Sequence, residues 1–108
     1  MSAAGKKDGR RRTAFVTGAS AGIGAAIAVT LARNGYDVAV SERPALTRNL
    51  AGTLGEIGAA GGRAVPVELE LSSIASIEAA TATVFDAFGQ LDVLVNSAAA
   101  ALHKAALE

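Results

Sequence analysis

Thr13-Ala14-Phe15-Val16-Thr17-Gly18-Ala19-Ser20-Ala21-Gly22-Ile23-Gly24 passes from a short β-prone run, through three spaced glycines, into an apolar segment rich in alanine. Thr, Phe and Val favour a pleated, buried strand. Gly18 then suits the sharp reversal out of that strand, because glycine tolerates backbone angles closed to other residues. Gly22 has no side chain to hold a ligand away from the backbone, and Gly24 lets the following helix pack tightly on the strand. Free N–H groups and the positive end of the helix dipole attract an anion to such a turn. A strand, a glycine turn and a helix in this order point to a dinucleotide pyrophosphate. Ser20 is expected to add a hydroxyl donor to it.

The rest of the chain repeats the pattern. Residues 22–34 read as a helix with Ile23, Ala26, Ile27, Thr30 and Leu31 on its buried stripe, and Gly35 follows where a helix ends. Residues 37–41 (DVAVS) form a second strand, which leads to the acid Glu42, and Pro44 then breaks the chain. A weaker helix over 47–60, loosened by Gly52, Gly55 and Gly58, closes at Gly61-Gly62. A third strand over 64–69 precedes a helix over 74–88, capped by Ser72 or Ser73 and stopped at Gly89. Residues 91–96 (LDVLVN) are a fourth strand, and 98–108 would begin another helix. Strands alternating with helices predict βαβ units, an α/β parallel sheet and helices on both faces. The domain spans residues 13–108, preceded by a flexible basic arm over 1–12.

Composition narrows the function classes. At 108 residues there is room for one domain at most, and 51% apolar with 19% charged residues suits a folded core rather than a disordered chain. Zero net charge supplies no overall field toward nucleic acid or a membrane surface. No cysteine and a single histidine leave little from which to build a metal centre or a thiolate nucleophile. Lys6, Lys7, Arg10, Arg11 and Arg12 before the apolar stretch 14–32 have the look of a secretory leader. The interrupting Gly18, Gly22 and Gly24 instead mark a turn, so a cytoplasmic location is expected.

The spacing Thr-Gly-x-x-x-Gly-Ile-Gly at 17–24 resembles the short-chain dehydrogenase/reductase family, as does Leu91-Asp92-Val93-Leu94-Val95-Asn96, which is similar to that family's fourth strand. The likeness covers nearly all of residues 13–99 and is nearest the branch containing 3-oxoacyl-carrier-protein reductases. It implies a Rossmann-type doubly wound sheet of strand order 3-2-1-4 and an NAD or NADP cofactor. Gly18, Ser20, Ala21, Gly22, Ile23 and Gly24 would hold the pyrophosphate side. Glu42 would grip the adenosine ribose hydroxyls and repel a 2′-phosphate, favouring NAD. Arg43 would instead pair with that phosphate and admit NADP, whereas Ala21 stands where NADP users often carry a basic residue. Glu70, in place of the usual Asp, would face the adenine amino group, with Leu71 beside it. Asn96 would lie near the cofactor ribose, although Asn96-Ser97-Ala98-Ala99 departs from the family's Asn-Asn-Ala-Gly.

The resemblance also implies hydride exchange between nicotinamide and a carbonyl or alcohol, using a Ser and a Tyr-x-x-x-Lys pair. The one tyrosine, Tyr36, precedes the second strand and has Val40 four residues on, so no residue of this sequence is assigned a catalytic role. His103 and Lys104 have no visible partner in the pattern. The sequence therefore reads as the cofactor-binding part of an oxidoreductase, inactive as this chain. A second reading is a non-catalytic nucleotide-binding module completed by another chain. With the order 3-2-1-4, the apolar fourth strand lies at a sheet edge, where self-association or a completing chain is expected.

Overall fold

Parallel strands need a crossover between them, and each linking segment of this chain long enough to supply one carries a helix. The computed structural model describes residues 6–7 and 10–97. Its main sheet contains β1 (Thr13–Thr17), β2 (Asp37–Glu42), β3 (Ala64–Glu68) and β4 (Val93–Asn96), all parallel, in the order 3-2-1-4. The connecting helices are α1 (Gly22–Arg33), α2 (Ala51–Ala59) and α3 (Ile74–Phe88). This is a doubly wound α/β sheet of Rossmann type.

Side chains alternate across the sheet and divide the core in two. Ala14, Val16, Val38 and Val40 pack with Ala28, Ala32, Leu50 and Ile57 from the α1 and α2 side. Phe15, Ala39 and Val67 face the other way, against Ala80 and Val84 of α3. Central β1 is buried along its whole length, which explains its unbroken run of small and apolar residues. Register is fixed by this pattern, Phe15 standing opposite Ala39 on one side and Leu94 on the other.

Element ends depart from the sequence reading in instructive ways. Pro44–Leu50 is a short 3-10 helix before α2 begins at Ala51; Pro44 suits its start, and Leu50 at its end is fully buried in the core. Ile23, Ala26 and Thr30 do not belong to the buried stripe: Ile23 is 77% exposed, and Ala26 and Thr30 are also exposed. Ile27 and Leu31 are partly buried, and Gly24, Ala28, Val29 and Ala32 form the inner face of α1. Tight contact of that helix with the sheet selects the small residues, while Ile23, in its first turn, projects from the open end. Of the two candidate caps, Ser73 closes α3, its side chain accepting from the Ser76 N–H, and Gly89 ends that helix at φ +75°.

Strand β3 carries Pro66 and forms one edge of the sheet. Leu69 N donates to Glu42 O, and Arg63 O accepts from Val38 N, so the odd-numbered residues bond inward to β2. Pro66 therefore presents its missing N–H to the outer side, the place an edge strand tolerates it. At the opposite edge, β4 bonds to β1 alone among the described strands, and Leu94 on it is 62% exposed. Before β1, Lys6–Lys7 pairs antiparallel with Arg10–Arg11. Arg11 donates to Asp37 Oδ1 at 2.8 Å and to Tyr36 O at 2.9 Å, and Arg10 bonds to Gln90, tying this part of the arm to the sheet's amino edge. The helix expected over 98–108 lies outside the described residues, as do His103 and Lys104.

Candidate cofactor site

All four strands run the same way, so their carboxyl ends share one edge of the sheet. β1 leads to β2 on one side, whereas β3 crosses over to β4 on the other, and the crevice at this switch point is where open α/β sheets bind ligands. The glycine turn leaves β1 into that crevice. Gly18 and Gly22 both have φ +63°, the left-handed region that favours glycine. A Cβ on Gly22 would meet nothing within 4 Å, which leaves its backbone open to an incoming group. A Cβ on Gly24 would lie 2.3 Å from Gly18 O and 2.9 Å from Ser97 Oγ. The helix start is thus pressed against the turn with no room for a methyl group.

Several bonds fix the turn. Ala19 is fully buried; its N–H donates to Ser41 O at 3.0 Å, and its carbonyl accepts from the buried Thr53 hydroxyl at 2.8 Å. Ser20 Oγ donates to Glu42 Oε2 at 2.7 Å, and Glu42 Oε1 accepts from Arg43 N at 3.2 Å. Helix α1 has no side-chain cap at Ala21 and no acid in its first turn, so its leading N–H groups keep their pull on an anion. Ala21, Gly22 and Ile23 are exposed there, ready to meet a ligand, as is Arg43 beyond β2.

The remaining candidates lie along the same edge. Glu70 and Leu71 are half-buried just beyond β3; Glu70 N donates to Ser76 Oγ at 2.9 Å, and Glu70 Oε2 accepts from the Ser72 hydroxyl at 3.0 Å. Asn96, opposite Thr17 in the ladder, accepts from the Thr17 hydroxyl at 3.0 Å through its Oδ1. The structure thus gathers Gly18 through Gly24, Glu42, Arg43, Glu70, Leu71 and Asn96 at the carboxyl ends of the strands. Tyr36 is not with them: it precedes β2 at the amino edge, where its carbonyl accepts from Arg11. Sequence reasoning missed Thr53, for which the only available signal was its place four residues before the buried Ile57.

A family model for short chain dehydrogenase matches residues 12–108. The chain belongs to this family. A curated relative, hydroxysteroid dehydrogenase-like protein 2 of Xenopus laevis, is 44% identical over 93 residues, covering 82% of this chain and 22% of the relative. A solved dehydrogenase/reductase from Sinorhizobium meliloti 1021 is 45% identical with TM-score 0.74, covering 80% of this chain and 34% of that one. A short chain dehydrogenase from Burkholderia cenocepacia J2315, solved in complex with NADP, is 39% identical with TM-score 0.73 over 79% of this chain and 34% of that one. The chain therefore spans about a fifth of the curated relative and about a third of these solved structures.

The glycine turn, the uncapped helix and the nearby carboxylate fit a dinucleotide: open backbone for the pyrophosphate, and an oxygen pair for ribose hydroxyls. Gly22→Ala separates binding from folding. The left-handed backbone costs about 1–2 kcal/mol for a residue with a Cβ, while the methyl group would occupy the open space before the turn. Binding of a nicotinamide dinucleotide is expected to weaken at least about tenfold, beyond what the stability loss accounts for. A melting curve and a fluorescence titration on the same preparation check this. Unchanged affinity would mean that the ligand does not approach Gly22.

Proposed function

We propose that this chain binds NAD in preference to NADP and forms the cofactor-binding portion of a short-chain oxidoreductase. The observation that carries the preference is the Glu42 carboxylate, held at the end of β2 beside the glycine turn by Ser20 and Arg43 N. A fixed negative charge there accepts hydrogen bonds from ribose hydroxyls and opposes a 2′-phosphate. The exposed Arg43 is the opposing influence. Glu70 and Leu71 are assigned to the adenine end, and Asn96 to the nicotinamide ribose. Bound nicotinamide would supply or accept the hydride, while the residues described here bind and orient the dinucleotide.

We read the 108-residue chain as binding cofactor without turning over substrate. Hydride transfer to a carbonyl needs a proton donor beside the oxygen, and Tyr36 stands at the opposite edge of the sheet from the site. The exposed edge of β4 favours a second reading, a binding module completed by a further chain or by another copy of itself. A cytoplasmic location and nearness to the 3-oxoacyl-carrier-protein reductases are part of the proposal, the latter resting on the glycine and LDVLVN motifs. No helix among the described residues is long and apolar enough to cross a membrane.

The test is a fluorescence titration of the purified chain with NADH and NADPH. Saturable binding, tighter for NADH, is expected. Glu42→Ala should narrow the preference by about tenfold, the scale of one charge-assisted contact. A preference for NADPH in the unaltered chain would reverse the assignment of Glu42 and Arg43.

A further inference from the structure

We propose that Ser20 is a positioning residue that sets the cofactor preference through Glu42, rather than a hydroxyl donor to the pyrophosphate. This rests on the cofactor reading above and adds to it a residue that determines specificity. A serine hydroxyl has one proton to give. Ser20 gives it to Glu42 Oε2 at 2.7 Å, within the short range of charge-assisted O–H···O⁻ bonds. With that proton engaged, Ser20 Oγ turns only lone pairs toward any phosphate, and these repel an anion. The pyrophosphate is left to the exposed backbone of Gly22 and the start of α1.

The hydroxyl reaches its target because the two segments are locked one residue before the pair. Ala19 N donates to Ser41 O at 3.0 Å, and Ala19 O is held by Thr53 Oγ1 at 2.8 Å. Ser20 and Glu42 each follow a pinned residue, so their side chains meet without loop rearrangement. Arg43 N at 3.2 Å from Glu42 Oε1 holds the second oxygen. The carboxylate is gripped at both oxygens and held beside the turn. Without the Ser20 bond, only the longer contact from Arg43 N restrains Glu42. Its carboxylate can then turn away from the glycine turn and leave the neighbouring Arg43 side chain as the stronger influence on a 2′-phosphate.

The discriminating experiment measures NADH and NADPH dissociation constants for the chain and for Ser20→Ala and Ser20→Thr. In Ser20→Ala, NADH is expected to weaken about tenfold, with NADPH unchanged or tighter. Ser20→Thr keeps the hydroxyl and should restore the original ratio. Retained NADPH binding in Ser20→Ala shows that the variant is folded. An equal loss for both cofactors would place Ser20 on the shared pyrophosphate and overturn this inference, leaving the cofactor reading intact. Failure of the unaltered chain to bind either cofactor would overturn that reading, and the inference with it.

Discussion

Gly24→Ala is expected to destabilise the chain by about 3 kcal/mol or more, the upper part of the range for forcing an atom into a packed site. The added Cβ would sit 2.3 Å from Gly18 O, a backbone atom that cannot rotate aside, and 2.9 Å from Ser97 Oγ, which can. Relief requires lifting α1 off the turn. That movement would also pull at Ala19, whose bonds to Ser41 and Thr53 hold the turn against β2 and α2. For a domain of this size the melting temperature should fall by about 12 °C or more. Cofactor binding should vanish together with the fold, in contrast to Gly22→Ala, where affinity falls further than stability. A melting temperature within about 2 °C of the parent, well below a 1 kcal/mol effect, would show that the turn gives way easily and that Gly24 is not needed for close packing.

Self-association of the chain, and its loss in Leu94→Lys, is the second large effect. Leu94 is 62% exposed at the centre of β4, and beside it lies an apolar groove of about 280 Å³ floored by Phe15 and walled by Ile77 and Phe85 of α3. An apolar strand whose outer side has no partner among the described residues, next to an apolar groove, is a template for another strand. Sedimentation at high micromolar concentration is therefore expected to show dimers or larger species. A lysine at position 94 sets a charge in the middle of that edge and should weaken association at least about tenfold. Phe85→Lys, on the other wall, tests whether the groove takes part or the strand edge acts alone. A parent chain that stays monomeric at those concentrations would remove the edge as an interaction site.

Much of the fold was legible because glycine and apolar spacing act locally. Gly18, Gly22 and Gly24 mark the turn, Gly89 ends α3, and the short runs TAFVT and DVAVS mark strands, whose order 3-2-1-4 was implied by the family resemblance. What was not legible depended on partners distant in sequence. Spacing alone put Ile23 on the inner face of α1, but the tight approach to the sheet selects Gly24 and Ala28 instead. The segment after Pro44 is 3-10 helix as far as the buried Leu50, and no local spacing distinguishes it from the start of α2. The bond from the Ser20 hydroxyl to Glu42, 22 residues on, is likewise invisible in the local motif. Thr53 gave no sign that its hydroxyl would reach 34 residues back to Ala19.

Pro66 has a consequence for stoichiometry. It removes an outward donor from β3, so that edge is a poorer template for a new strand than the β4 edge, which has no outer partner among the described residues. Two copies that pair through β4 about a twofold axis use up each other's open edge and expose a proline-bearing strand at both ends. In such a pair, growth would stop at two. Replacing Pro66 with valine would restore the donor and turn a closed pair into a unit with two sticky ends, the condition for a filament.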